Sequence, residues 1–129
     1  MKIHHIGYLV KNIDKAIESF IQLGYVVEKK TIYDTARMVD ICFLNKDGYC
    51  IELVCPKDSK SPIYGLGKKC KNAPYHICYL CKDFDKTIEE WSKSTMVLFQ
   101  PAEVAPALGG KRVAFFMSPT IGMIELLEE

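Results

Sequence analysis

Apolar and polar residues alternate from the start of the chain: Ile3, His5, Gly7 and Leu9 fall on one face of an extended segment. The period then lengthens. Ile13, Ile17, Phe20 and Ile21 recur at helical spacing, with Asp14 suited to the positive end of the helix they predict. Extended segments follow around Phe43 and Leu44 and again around Ile51, Glu52 and Leu53, joined by a short turn over 45–48. The same grammar returns in the second half. An extended run over 76–81 precedes a helical pattern of Phe84, Ile88 and Trp91, opened by Asp85. Two further strands then carry Phe116 and Met117, and Ile124, Glu125 and Leu126, joined over 118–122.

This recurrence is a duplication. The segment from His5 to Phe20 lies over that from His76 to Trp91 with nine of sixteen positions identical. The later strands match more loosely, pairing Phe43-Leu44 with Phe116-Met117. Each half reads as β-α-β-β-β, over residues 1–57 and 73–129. The linker, 58–72, offers Ser61 as a helix cap and Pro62 as a first helical residue, before a surface connection rich in glycine and lysine. Neither half is large enough to bury its own sheet, so the expectation is a single α+β domain over 1–129. Its two tandem βαβββ modules would form a curved mixed sheet around a cleft.

Charge and composition narrow the partners. Seventeen basic residues against sixteen acidic leave no surplus for gripping a phosphate backbone, which argues against nucleic acid. Apolar runs stop at four or five residues, too short for a membrane span, and the first residues lack the apolar stretch of a leader. The chain therefore reads as cytoplasmic. Cys78 and Cys81 have the spacing of a metal or redox pair, but three residues apart on a strand they point to opposite faces. The six cysteines are read as structural thiols.

Candidate chemistry sits at repeated positions. Each half places a histidine at the start of its first strand and a glutamate in its last: His5 with Glu52, and His76 with Glu125. The separations, 47 and 49 residues, are nearly equal. A lone strand histidine is ordinarily a hydrogen-bonded, partly buried residue, and a strand glutamate ordinarily faces water. Agreement of both pairs, with both glutamates flanked by apolar residues, points instead to four converging ligands. Two imidazoles and two carboxylates suit a borderline divalent ion. Lys111 and Arg112 follow two glycines; they make either a solvated turn or a grip on an anionic substrate tail.

On His5-Ile6-Gly7, Ile51-Glu52-Leu53, His76-Ile77 and Ile124-Glu125-Leu126, the sequence resembles the vicinal oxygen chelate superfamily over essentially its whole length. The resemblance implies paired βαβββ modules around one metal, often in a homodimer. It implies a glyoxalase I-type isomerase, with His5, Glu52, His76 and Glu125 as ligands of one Ni²⁺ or Co²⁺, or of Zn²⁺. Its substrate would be the hemithioacetal of methylglyoxal and glutathione, and its product S-lactoylglutathione through a metal-stabilised enediolate. Glu125 would be the leading base and Glu52 its counterpart. Similarity to methylmalonyl-CoA epimerase, in 51–56, 59–63 and 110–115, implies the alternative of an acyl-CoA substrate. It also implies a further carboxylate base near residues 34–36, where Asp34 is the nearest. A drug-binding module of the bleomycin-resistance type, without chemistry, is the alternative from another class. A ring-cleaving dioxygenase would need only three ligands.

Overall fold

The computed structural model describes residues 1–129. In chain order the elements are β1 (Lys2–Leu9), α1 (Ile13–Gln22), β2 (Val26–Asp34), β3 (Val39–Lys46), β4 (Tyr49–Pro56), α2 (Tyr64–Cys70), β5 (Ala73–Cys81), α3 (Phe84–Ser92), β6 (Val97–Ala105), β7 (Lys111–Ser118) and β8 (Gly122–Glu128). The fold is α+β and contains the βαβββ module twice. The chain divides into two compact units, one of His5–Tyr75 and one of Met1–His4 with His76–Glu129.

In the first module the strand order is β2-β3-β4-β1. β1 runs parallel to β4, with Gly7 opposite Glu52, while β2, β3 and β4 pair antiparallel. Side chains alternate between two faces of this sheet. Cys42, Leu44, Ile51, Leu53 and Cys55 form one core with Val10 and Ile13, against which Ala16, Ile17 and Phe20 of α1 pack. Their alternates, Phe43 and Glu52, occupy the opposite face. The second module repeats the arrangement in the order β5-β8-β7-β6, with β5 parallel to β8 and Cys78 opposite Glu125. Cys81, Phe84, Ala114, Phe116 and Leu126 make its core, covered by Ile88 and Trp91. Cys42, Cys55, Cys78 and Cys81 are buried, and all six cysteines are thiols.

Helix ends differ in detail from their sequence signals. Asp14 sits in the first turn of α1, as its charge suits, and Asn12 is the cap: its side chain accepts from the Lys15 N–H at 3.0 Å. Ser61 does not cap α2. The helix begins later, behind Ile63, and has no side-chain cap. Asp58 takes over the preceding turn, accepting from the Lys60 N–H through its side chain and the Ser61 N–H through its carbonyl. Ser61 itself is buried with its carbonyl accepting from the Tyr64 N–H. The glycine- and lysine-rich stretch expected as a surface connection is this helix. Lys68 lies 4.9 Å from the Tyr64 ring centroid one turn back, a cation–π contact that helps offset the glycines.

Two hairpin turns set the strand registers. Between β3 and β4 the loop is two residues, Asp47 and Gly48, both with positive φ (53° and 85°), as a primed turn requires. Between β7 and β8, Ser118 pairs with Gly122, leaving a three-residue loop whose Thr120 and Ile121 N–H groups donate to the Ser118 hydroxyl. The extra residue moves the register by one. Phe43 stands opposite Glu52, but Phe115 stands opposite Glu125. The match of Phe43 with Phe116 is thereby corrected: Phe116 points into the core beneath α3, where Trp91 meets it edge-on at 5.3 Å.

Candidate metal centre

Within each module the histidine and the glutamate meet. Because Gly7 is opposite Glu52 on parallel strands, His5 lies two residues back on the same face of β1. Its Nε2 is 3.2 Å from Glu52 Oε2. His76 is placed alike by the pairing of Cys78 with Glu125, and its Nε2 is 3.2 Å from Glu125 Oε2. All four residues are buried, none more than 5% exposed. Burying a carboxylate and an imidazole costs several kcal/mol unless each faces a polar or charged partner (~1–3 kcal/mol for a single unmet polar group). In each module the pairing sets the two groups 3.2 Å from one another.

Each imidazole also has an aromatic neighbour that sequence patterning did not single out. Phe43 meets His5 edge-on, with centroids 5.4 Å apart and planes at 81°. Phe115 meets His76 with 5.3 Å and 86°. The residue opposite the glutamate is thus the residue against the histidine ring, twice. The signal was present as a phenylalanine nine residues before Glu52 and ten before Glu125, hidden by the unequal turns.

The pairs fit a divalent cation. Two donors bonded to one ion at about 2.1 Å, roughly at right angles, are about 3 Å apart, close to the separation in each pair. Imidazole nitrogen with carboxylate oxygen is a donor set of borderline hardness. Cys50, two residues from Glu52, is outside this group of four; burial, chiefly, pushes its thiol up to about 11, and Glu28 reinforces the shift against the opposing effect of His5.

The other candidate residues have other surroundings. Asp34 is buried and accepts from the Ala36 and Arg37 N–H groups and from Arg37 Nη1, so its oxygens are engaged in a turn. Arg112 donates to both oxygens of Asp85 at 2.9 and 3.0 Å and to both of Glu128 at 3.0 and 2.7 Å, above the Phe84 ring. Its guanidinium therefore fastens the start of α3 to the end of β8, which satisfies it without an external anion. Lys111 is exposed at the first position of β7.

Comparison with known proteins bears on the fold and the family. No protein of curated function matches the sequence. Among solved structures, a hypothetical protein of Bacillus halodurans C-125 is 25% identical, with a TM-score of 0.81, over 99% of this chain and 94% of its own. Methylmalonyl-CoA epimerase from Mycobacterium tuberculosis shares 22% identity and a TM-score of 0.82, over 98% of this chain and 86% of the epimerase. A point variant of the Streptomyces coelicolor methylmalonyl-CoA epimerase in complex with 2-nitronate-propionyl-CoA has 21% identity and a TM-score of 0.80, over 100% of this chain and 97% of its own. At such identities the epimerases share the fold. No helix of the chain is long and apolar enough to cross a membrane. A family model matches residues 4–115, and by that match the chain belongs to the glyoxalase/bleomycin resistance protein/dioxygenase superfamily.

Proposed function

We propose that His5, Glu52, His76 and Glu125 together hold one divalent cation, and that the protein uses it to move a proton at a carbon beside a thioester. The observation that carries this reading is the buried His–Glu pair, made twice with the same 3.2 Å separation. The bound ion supplies Lewis-acid stabilisation of negative charge on the substrate oxygens. Everything else falls to the side chains. The histidines present neutral Nε2 atoms as ligands, which requires loss of the Nε2 proton on metal uptake. The glutamates neutralise the ion and act as proton carriers.

The substrate class favoured here is an acyl-CoA, as in the methylmalonyl-CoA epimerases whose fold the chain shares. Epimerisation removes a proton from one face of a carbon and returns one to the other. A duplicated module supplies one carboxylate for each task, with Glu125 as leading base and Glu52 as its counterpart. The nucleotide tail then needs cationic contacts, and exposed Lys111 suits that role better than the engaged Arg112. A second reading, glyoxalase I, is favoured by Asp34. Its oxygens are taken by three donors, so no further base is offered at the place where an epimerase resemblance implies one. Isomerisation of a glutathione hemithioacetal needs one base alone. Both readings are compatible with a homodimer in the cytoplasm, and with Ni²⁺ or Co²⁺ ahead of Zn²⁺.

The deciding experiment follows proton exchange in D₂O, using protein loaded with Co²⁺ and a single epimer of methylmalonyl-CoA. The expected result is metal-dependent incorporation of one deuterium with loss of stereochemical purity. Thioester formation from methylglyoxal and glutathione, without exchange of the acyl-CoA, would replace the epimerase by glyoxalase I. Inactivity toward both substrates despite bound metal would overturn the proton-transfer reading.

A further inference from the structure

The proposed function leaves Phe43 and Phe115 without a role, yet their placement is the most faithfully repeated feature outside the ligands. Each is buried. Each stands directly across the strand pair from its module's glutamate, and presents an aromatic contact to its module's histidine at nearly the same distance and angle. The repetition follows the glutamate and not the chain. The longer β7–β8 turn displaces the register by one residue, and the aromatic opposite Glu125 is Phe115 although Phe116 has the corresponding sequence position. Core filling alone does not require this, since Phe116 already fills the core of the second module.

An imidazole on a strand has one free torsion, about its Cβ–Cγ bond, that decides where Nε2 points. A perpendicular aromatic neighbour narrows that motion, because edge-to-face contact is lost when the ring turns. We propose that Phe43 and Phe115 are positioning residues that fix the His5 and His76 rings with Nε2 on the glutamate oxygen, so that each module offers a cation a preoriented pair. As a role in metal uptake this rests on the proposed function; as a role in ring orientation it stands on the ring contacts and strand registers alone. Outer residues that orient metal-binding histidines change affinity by about 10- to 100-fold when removed.

The test uses Phe43→Leu and Phe115→Leu, which keep apolar bulk but remove the ring edge, with Phe115→Tyr as the conservative restoration. In metal-free protein, long-range ¹H–¹⁵N spectra report the imidazole nitrogens. Phe115→Leu is expected to shift and broaden the imidazole nitrogen signals of His76 while those of His5 persist, and Phe43→Leu to do the reverse. Co²⁺ affinity, measured by competition with a chelator, should fall about tenfold in each leucine variant, with an altered visible spectrum. Phe115→Tyr should restore signal, affinity and spectrum. A folded Phe115→Leu protein with the His76 signal and Co²⁺ affinity intact would overturn the brace. Wild-type protein that binds no Co²⁺ would sink the proposed function, and the imidazole signals would still decide the brace.

Discussion

At the scale of single residues, chemistry depends on carboxylates kept out of water beside a partner that can exchange for something else. Glu125 and Glu52 each meet an imidazole within hydrogen-bonding distance and lie almost wholly buried. Asp34 is equally buried but faces three donors from its own turn, so a substrate proton would compete with an arginine and two amides. That contrast directs the first mutation. Glu125→Gln keeps the shape and one acceptor oxygen but cannot carry the proton. Deuterium incorporation into the acyl-CoA should fall about 10²- to 10⁴-fold, the range associated with a positioned general base. The far-ultraviolet circular dichroism spectrum should be unchanged. Asp34→Asn, by comparison, should disturb the β2–β3 turn and lower stability more than turnover per folded molecule. Wild-type exchange rates in Glu125→Gln would remove the role given to that residue.

At the scale of elements, Arg112 shows how a residue selected for charge can be absorbed by structure. It belongs to β7, yet its partners lie at the start of α3 and the end of β8. Hydrogen bonds from Arg112 hold the Asp85 and Glu128 carboxyls below their ordinary range. With folded-state values depressed, the associated stability is present above the unfolded carboxylate range and is lost as pH falls through the lowered values. The melting-temperature gap between wild type and Arg112→Met should therefore be widest near neutrality and close in strong acid. Because these groups are solvent-exposed, high salt should narrow it as well. A gap constant with pH would mean that Arg112 acts through its stacking on Phe84 instead. Such partnerships are invisible in a linear sequence because Asp85, Arg112 and Glu128 are joined only by folding. The strands β1, β3, β4, β5, β7 and β8 and the amphipathic helices α1 and α3 were legible, since periodicity records which face is buried; β2 and β6 were not placed on residues, because most of their side chains are exposed. Helix α2 was legible only as a start signal at Ser61 and Pro62, two residues early: Gly65 and Gly67 weaken the local signal of the helix itself, and the contact of Lys68 over Tyr64 helps offset that weakness. The register of β7 was hidden too, because one extra loop residue changes which phenylalanine faces Glu125.

At the scale of the whole molecule, duplication is what made the candidate site stand out. One His–Glu pair is a commonplace of sheet interiors, whereas two at matching positions exclude most accidents, and the structure draws each pair to the same 3.2 Å. Sequence alone conveyed which residues repeat, but not that Phe43 and Phe115 repeat with them, because that relation exists only across paired strands. The same duplication leaves a choice that counting metal ions resolves. If each module were a site by itself, the chain would take up two ions, each with a two-residue protein ligand set, and His5→Ala would abolish one while leaving the other. A single four-ligand centre behaves differently. Two imidazoles and two carboxylates on one ion give more bonds and fuller charge compensation than either pair alone. Elemental analysis after loading with Co²⁺ and desalting should then find one ion per chain. His5→Ala and His76→Ala should each weaken that one ion, and the double variant should add less than the sum of the single losses in binding free energy, as expected for residues sharing a ligand. Two ions per chain with independent, additive losses would divide the centre into separate halves, and would leave the proposed isomerase without the ligand set on which it depends.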